Sequence, residues 1–191
     1  MKHIAVLTSG HSRGSNFEAI VRYLADKPVQ VAFVVVTSHK APIIERAARL
    51  GIPALYIPAK DVAAFERQLL SALTQHEVKL LAFAGFMRKL SVDFLQTCPC
   101  QVVNIHPALL PNYGGEGMYG IRVHEAVFAA GEKVSGATVH HVNGEYDAGE
   151  VISQRQIDIS ACQSPEEVAG AVLNVEHELY PETIWELVKR L

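Results

Sequence analysis

The sequence predicts an α/β fold: a single-domain, open, mostly parallel twisted sheet with helices on both faces and an antiparallel C-terminal hairpin. Three observations predict it. Short strand-like runs alternate with helical stretches through the first two-thirds of the chain, which is the pace of βαβ units. The early runs are almost wholly apolar, as strands covered on both faces are. In the last third, two strand-like runs flank a polar loop that opens with Asn143-Gly144, a hairpin signal.

Taken in order, Ile4–Leu7 reads as a buried strand, followed by a Gly/Ser-rich turn and a helix over Ser15–Asp26. Val29–Val36 is dense in β-branched residues and reads as the second strand. Pro42–Leu50 reads as a helix stopped by Gly51, and Ala54–Ile57 as a third strand. Over Asp61–His76, Ala64, Phe65, Leu69 and Ala72 fall on one helical face. Lys79–Phe83 is a strand, Ser91–Gln96 a short helix, Gln101–Ile105 a fifth strand and Ile121–Ala130 a helix. Ser135–Val142 and Glu150–Ile157 form the hairpin. Ser164-Pro165-Glu166-Glu167 opens the terminal helix, with a serine cap, proline at the first position and a glutamate three residues on.

The chain has 191 residues, 49% hydrophobic and 19% charged, enough apolar material for a two-sided core. Its net charge of −3 argues against a general binder of nucleic acid or anionic membrane. No apolar run approaches the roughly 18–20 residues of a membrane span. Thr8-Ser9-Gly10 cuts short any leader-like apolar stretch. Three cysteines make no disulfide framework, so the expected compartment is the cytoplasm. No repeat or linker appears, and residues 1–191 read as one domain.

The first turn, Thr8 to Asn16, lies at the carboxyl edge of a parallel sheet, where ligands bind. Gly14 permits close backbone approach, the following helix offers free N–H groups, and Arg13 adds a cation for a phosphate. The alternative is an ordinary glycine turn capped by Ser15, with Glu18 completing a capping box. Gly115-Glu116-Gly117-Met118-Tyr119-Gly120 matches the dinucleotide fingerprint as a string, but it follows Pro111-Asn112-Tyr113 rather than a strand. A nicotinamide or ATP enzyme is disfavoured.

Asn104 and His106 end the fifth strand and, two residues apart, share a face. An amide donor beside a proton carrier suits a reaction that passes through an oxyanion. The alternative is a strand-ending asparagine and a histidine bonded to a carbonyl. Asp147 is either a solvated loop carboxylate or a partner of His106; contact would favour the imidazolium and raise the histidine's pKa. A metal site is not expected: His140 and His141 face opposite ways in a strand, and Cys98-Pro99-Cys100 has no second cysteine pair.

Together these blocks resemble a known family. Gly14-Ser15-Asn16, Ala84-Gly85-Phe86-Met87-Arg88, Asn104-Ile105-His106-Pro107-Ala108-Leu109-Leu110-Pro111, Val139-His140-His141-Val142 with Asp147-Ala148-Gly149, Glu176-His177 and Tyr180-Pro181 are similar to the phosphoribosylglycinamide formyltransferases, or GAR transformylases. The likeness covers essentially the whole chain. Methionyl-tRNA formyltransferase and formyltetrahydrofolate deformylase share the core but usually carry an extra domain. The resemblance implies formyl transfer from 10-formyltetrahydrofolate to the amine of glycinamide ribonucleotide in purine synthesis, by a monomer or homodimer acting on small molecules without a metal. It implies that Gly14, Ser15 and Asn16 hold the substrate phosphate, with Arg13 an added candidate ligand, and that Glu176 contacts the ribonucleotide. It places Met87, Arg88, Lys89 and Leu90 at the folate, with His140 and the loop up to Asp147. Asn104, His106 and Asp147 are the implied catalytic trio, with His106 acting best as imidazolium.

Three departures from the family pattern stand out. His11-Ser12-Arg13 lengthens the first turn, Asp61-Val62-Ala63 stands where relatives often have arginine, and Gly114–Gly120 is unusually rich in glycine. That last segment is expected to be mobile and to order on substrate binding.

Overall fold

A computed structural model describes residues 1–10 and 13–191. The elements run β1 (Lys2–Leu7), α1 (Ser15–Leu24), β2 (Val29–Val36), α2 (Ile43–Arg49), β3 (Ala54–Tyr56), α3 (Val62–Gln75), β4 (Val78–Phe83), α4 (Val92–Thr97), β5 (Gln101–His106), α5 (Ile121–Ala129), β6 (Val134–His141), β7 (Val151–Asp158) and α6 (Pro165–Arg190). The expected elements form, with ends that move by one or two residues. Expected helix-start residues Asp61 and Ser91 prove to be caps, accepting from the backbone N–H groups of Ala64 and Phe94.

The seven strands among the described residues form one sheet in the order β3-β2-β1-β4-β5-β6-β7. Strands β1 to β5 pair in parallel, and β6 and β7 are antiparallel. Strand order reverses between β1 and β4, so a crevice opens at their carboxyl ends. Side chains alternate between two cores. Ile4 and Val6 join Phe17, Ile20, Val172 and Tyr180 on one face. Ala5 and Leu7 join Phe65, Leu69 and Phe94 on the other. The Tyr180 hydroxyl is fully buried and donates to the carbonyls of Phe83 (2.8 Å) and Val103 (3.2 Å). It ties α6 to β4 and β5 at the level of the crevice.

The alternative reading of the first turn fails, whereas the start signal of α6 holds. Ser15 does not cap α1, and Glu18 forms no capping box. Gly14 is the cap residue at φ 77°, and Glu18 instead pairs with Arg22 and Arg46. A methyl on Gly14 would also meet Ile43 at 2.5 Å, so packing of α1 on α2 demands this glycine. Ser164 does accept from Glu167 N–H, but the Glu167 carboxylate turns to Gln163 N–H rather than to its own cap.

The β6–β7 ladder carries one irregularity beside the crevice. Val139 faces Ser153, whereas His140 faces Val151, so Ile152 is an extra residue on β7. Bulges of this kind re-aim side chains next to sites.

Candidate active site

The ends of β5 and β6 set the first pair of residues. Antiparallel pairing puts Asn104 opposite His140, and the two side chains meet, Asn104 Nδ2 lying 3.2 Å from His140 Nε2. His140 Nδ1 lies 2.9 Å from the carbonyl of His141. That carbonyl can only accept, so Nδ1 carries a proton. In the neutral ring, Nε2 then takes one N–H of Asn104 and leaves the amide's second N–H free to donate.

Asp147 completes the group from the β6–β7 loop. Its Oδ2 lies 3.4 Å from His106 Nδ1, and its Oδ1 lies 3.5 Å from His140 Nε2. Its Oδ2 also accepts from Gly115 N–H at 3.0 Å. Asp147 itself sits in the left-handed region, φ 54°, a conformation that costs energy and collects at functional sites. Burial acts to raise its pKa, but His140, His106 and the Gly115 N–H outweigh it and hold the carboxyl below the usual range. Gly149 lets the loop return to the sheet. A methyl there would collide with the carbonyl of His141 and touch His140 Nδ1 at 3.5 Å.

His106 is 3% exposed. Its Nε2 lies 2.8 Å from the carbonyl of Tyr113, another residue with left-handed backbone, φ 56°. In a neutral ring the proton is therefore on Nε2, and the lone pair of Nδ1 faces Asp147. Contact with Asp147 exists, yet the expected rise in the histidine's pKa does not follow. Burial lowers it; Asp147 and the Tyr113 carbonyl push it up, His140 opposes them, and the net shift is downward. Removing the ring from water costs the charged form more than one carboxylate at 3.4 Å returns.

Asn104, His106, Gly115, His140 and Asp147 line a cleft of about 650 Å³. Its walls also include Asn16 from α1, the segment 85–90, Val142, and Ala169, Leu173 and Glu176 from α6. Asn16 Nδ2 donates to Glu176 Oε2 at 2.6 Å, and Asn16 Oδ1 is buried without a partner. Burial pushes the Glu176 carboxyl up to about 7 against the Asn16 bond, which acts to lower it. At the mouth, Lys89 bonds Glu145 at 2.8 Å and sits over the Tyr146 ring at 4.7 Å. Arg88 donates to the carbonyl of Ala59, Leu90 is buried and Met87 is half exposed.

The fold thus gathers Asn16, Met87, Arg88, Lys89, Leu90, Asn104, His106, His140, Asp147 and Glu176 around one cleft. Gly14 and Ser15 start the same helix as Asn16 but are not among the cleft's lining, and Arg13 is exposed outside it. His11 and Ser12, part of the lengthened turn, lie outside the described residues. Among the described residues no cluster of three or more His, Cys, Asp or Glu could hold a metal ion. Among the described residues no helix is long and apolar enough to cross a membrane.

Sequence reasoning missed His124. It lines the cleft from α5, is 5% exposed, and has its Nδ1 buried without a partner. Burial first, and His106 second, lower its pKa to about 4. The available signal was a histidine between Val123 and Val127 on the apolar face of a helix. The backbone groups of Tyr113 and Gly115 carried no signal in residue type.

Comparison with known proteins adds the lineage. The formyl transferase family profile matches residues 2–184. The chain is similar to phosphoribosylglycinamide formyltransferase of Bacillus subtilis, 38% identical over 98% of this chain and 95% of that one. It is likewise 38% identical to the chloroplastic phosphoribosylglycinamide formyltransferase of Arabidopsis thaliana, over 96% of this chain. It spans only 64% of that relative and 60% of the one from Vigna unguiculata. Among solved structures, it superposes on glycinamide ribonucleotide transformylase 1 from Geobacillus kaustophilus with a TM-score of 0.85 and 36% identity, covering 98% of each chain. The chain belongs to the formyl transferase family, among the phosphoribosylglycinamide formyltransferases.

Proposed function

We propose that this protein transfers the formyl group of 10-formyltetrahydrofolate to the amine of 5'-phosphoribosylglycinamide, in purine synthesis. The observation that carries the reading is the meeting of Asn104, His106, His140 and Asp147 in one cleft, in a chain of this family.

The cleft suits two ligands side by side. At about 650 Å³ it lies within the ordinary range for organic ligands. Phe86, Leu90 and Val142 give one part an apolar lining, and the segment 87–90 supplies the folate-facing groups. Asn16 and Glu176 lie at the part assigned to the ribonucleotide, where the unpartnered Asn16 Oδ1 awaits a donor. Gly14 and Ser15 would hold the phosphate at the start of α1, and exposed Arg13 is the added cation. The co-substrate supplies the formyl carbon; the remaining work falls on the chain.

Asn104 offers its free N–H to the negative charge that develops on the transferring carbonyl oxygen. His106, uncharged in the resting site, takes up at Nδ1 the proton the amine loses as it adds to the formyl carbon, and is held meanwhile by Asp147. It gives that proton up to the folate nitrogen as the bond from the formyl carbon to that nitrogen breaks and tetrahydrofolate leaves. The imidazolium is thus a state reached during the reaction rather than its starting form. Asp147, already ionised, stabilises that state and holds the loop to Gly115. His140 fixes the Asn104 amide in place. Small-molecule substrates, the cytoplasm and a monomeric or homodimeric state belong to the same reading, which the slight net negative charge supports against nucleic-acid binding.

The test is turnover of 10-formyltetrahydrofolate with and without glycinamide ribonucleotide. Formyl loss that depends on the ribonucleotide, with N-formyl product, is expected. Turnover indifferent to the ribonucleotide would assign the site to hydrolysis and overturn the proposal.

A further inference from the structure

Cys98-Pro99-Cys100 lies outside the cleft, at the turn from α4 into β5, and the proposed reaction does not use it. The two sulfurs lie 3.4 Å apart in hydrogen-bond geometry. Both residues are half-buried, packed against the second core yet facing an open depression of about 360 Å³ that they line with Lys79, Gln101 and Leu191. The third cysteine, Cys162, is half-buried and packs against the opposite core. From these positions we infer that Cys98 and Cys100 form a redox-active dithiol, a modification site at which a peroxide closes a reversible disulfide within one chain.

Three features support this. A disulfide needs sulfurs about 2.05 Å apart, so each must move well under an ångström from its present place. The depression gives a small oxidant access that a core thiol lacks. The S–H···S bond also makes the two thiols unequal. The bond to the Cys100 sulfur and the Cys100 backbone N–H hold Cys98 down to about 7 against burial, whereas the Cys100 thiol is pushed up. A thiol ionised near neutral pH, with a neighbour ready to resolve it, is the arrangement of redox-sensing cysteines.

The chemistry balances. The Cys98 thiolate attacks one peroxide oxygen, the O–O bond breaks, and Cys98 becomes a sulfenic acid as hydroxide leaves and takes a proton to form water. The Cys100 sulfur then attacks the Cys98 sulfur. The S–O bond breaks, the S–S bond forms, and a second water carries away the Cys100 proton. Both sulfurs are oxidised and one peroxide is reduced to two waters. A reducing dithiol reverses the link by exchange.

The experiment treats the reduced full chain with stoichiometric hydrogen peroxide at pH 7 and follows intact mass and peptide maps. The expected result is a monomeric product lighter by two hydrogens, with a peptide linking Cys98 to Cys100, restored by dithiothreitol. Cys162→Ser should react unchanged. Cys100→Ser should stop at a Cys98 sulfenic acid that dimedone traps, and Cys98→Ser should lose the fast reaction. Iodoacetamide at pH 7 should label Cys98 at least about tenfold faster than Cys162. Oxidation of Cys162 in preference to the pair would overturn the inference. So would dimers linked between chains, or sulfinic acid at Cys98 with Cys100 intact.

Discussion

Replacing Glu176 by glutamine removes a titration that the fold distorts, and the size of the effect follows from its position. The residue is 8% exposed, and burial carries its pKa from 4.5 to about 7 while Asn16 pulls the other way. A raised pKa means that the folded protein binds a proton the unfolded chain has already released. The favourable contribution is complete below 4.5 and disappears as pH climbs through about 7. At about 1.4 kcal/mol per pH unit, that gap is worth about 3 kcal/mol. Glutamine keeps a neutral acceptor for Asn16 and does not titrate. In urea unfolding between pH 4.5 and pH 8, the stability of Glu176→Gln relative to the parent should therefore rise by about 3 kcal/mol, most of it before pH 7. A difference that stays level across this range would show that Glu176 ionises as an ordinary surface carboxylate, and the account of a protonated carboxyl in the cleft would fail.

Four further outcomes follow from the site and its supports. His124 has the opposite sign: its pKa of about 4 makes the parent lose stability as pH falls below 6.5, so His124→Gln should gain on the parent by up to about 3 kcal/mol as pH drops from 7 to 4 in the same unfolding assay. Asn104→Ala should fold normally yet lower kcat roughly a hundredfold or more in steady-state formyl transfer, the scale of one oxyanion donor. NMR titration of His106 should find its midpoint below 6.5, lower again in Asp147→Asn, because the carboxylate opposes burial; a rise in that variant would reverse the assignment. Gly149→Ala should cost about 1–3 kcal/mol in thermal unfolding, since its methyl meets the His141 carbonyl, whereas Gly170→Ala in α6 meets nothing and should gain roughly 0.5–1 kcal/mol.

The α/β architecture was legible because covered strands and amphipathic helices leave different periods in the chain. β-Branched Val29–Val36 and the face formed by Phe65 and Leu69 announced their partners by residue type alone. Asn104 and His106 were legible as a pair because strand alternation places them together. Their company was less so. His140 meets Asn104 through cross-strand register, which no local pattern encodes. Asp147 approaches them only because Gly149 and a left-handed backbone turn the loop inward. The balance at His106 was misjudged for a related reason: the effect of a carboxylate can be reasoned from chemistry, but the water lost around the ring depends on every element that covers it. The absence of a Glu18 capping box on α1 has the same origin, since Glu18 finds two arginines, one of them on another helix.

The extra residue at Ile152 has a consequence for how the hairpin tip is indexed to the sheet. Successive positions on a strand look in opposite directions, so contact across β6 and β7 is a matter of odd and even. From Val134 to Val139 the partners descend one by one from Asp158 to Ser153, and at His140 the count skips. That skip inverts the parity of Val151, where β7 begins beside the hairpin loop, relative to the distal half of β7. The distal half can keep its salt bridges from Arg155 to Glu178 and Glu182 while the tip faces the chemistry. One unpaired residue lets a single ribbon serve two masters with opposite phase.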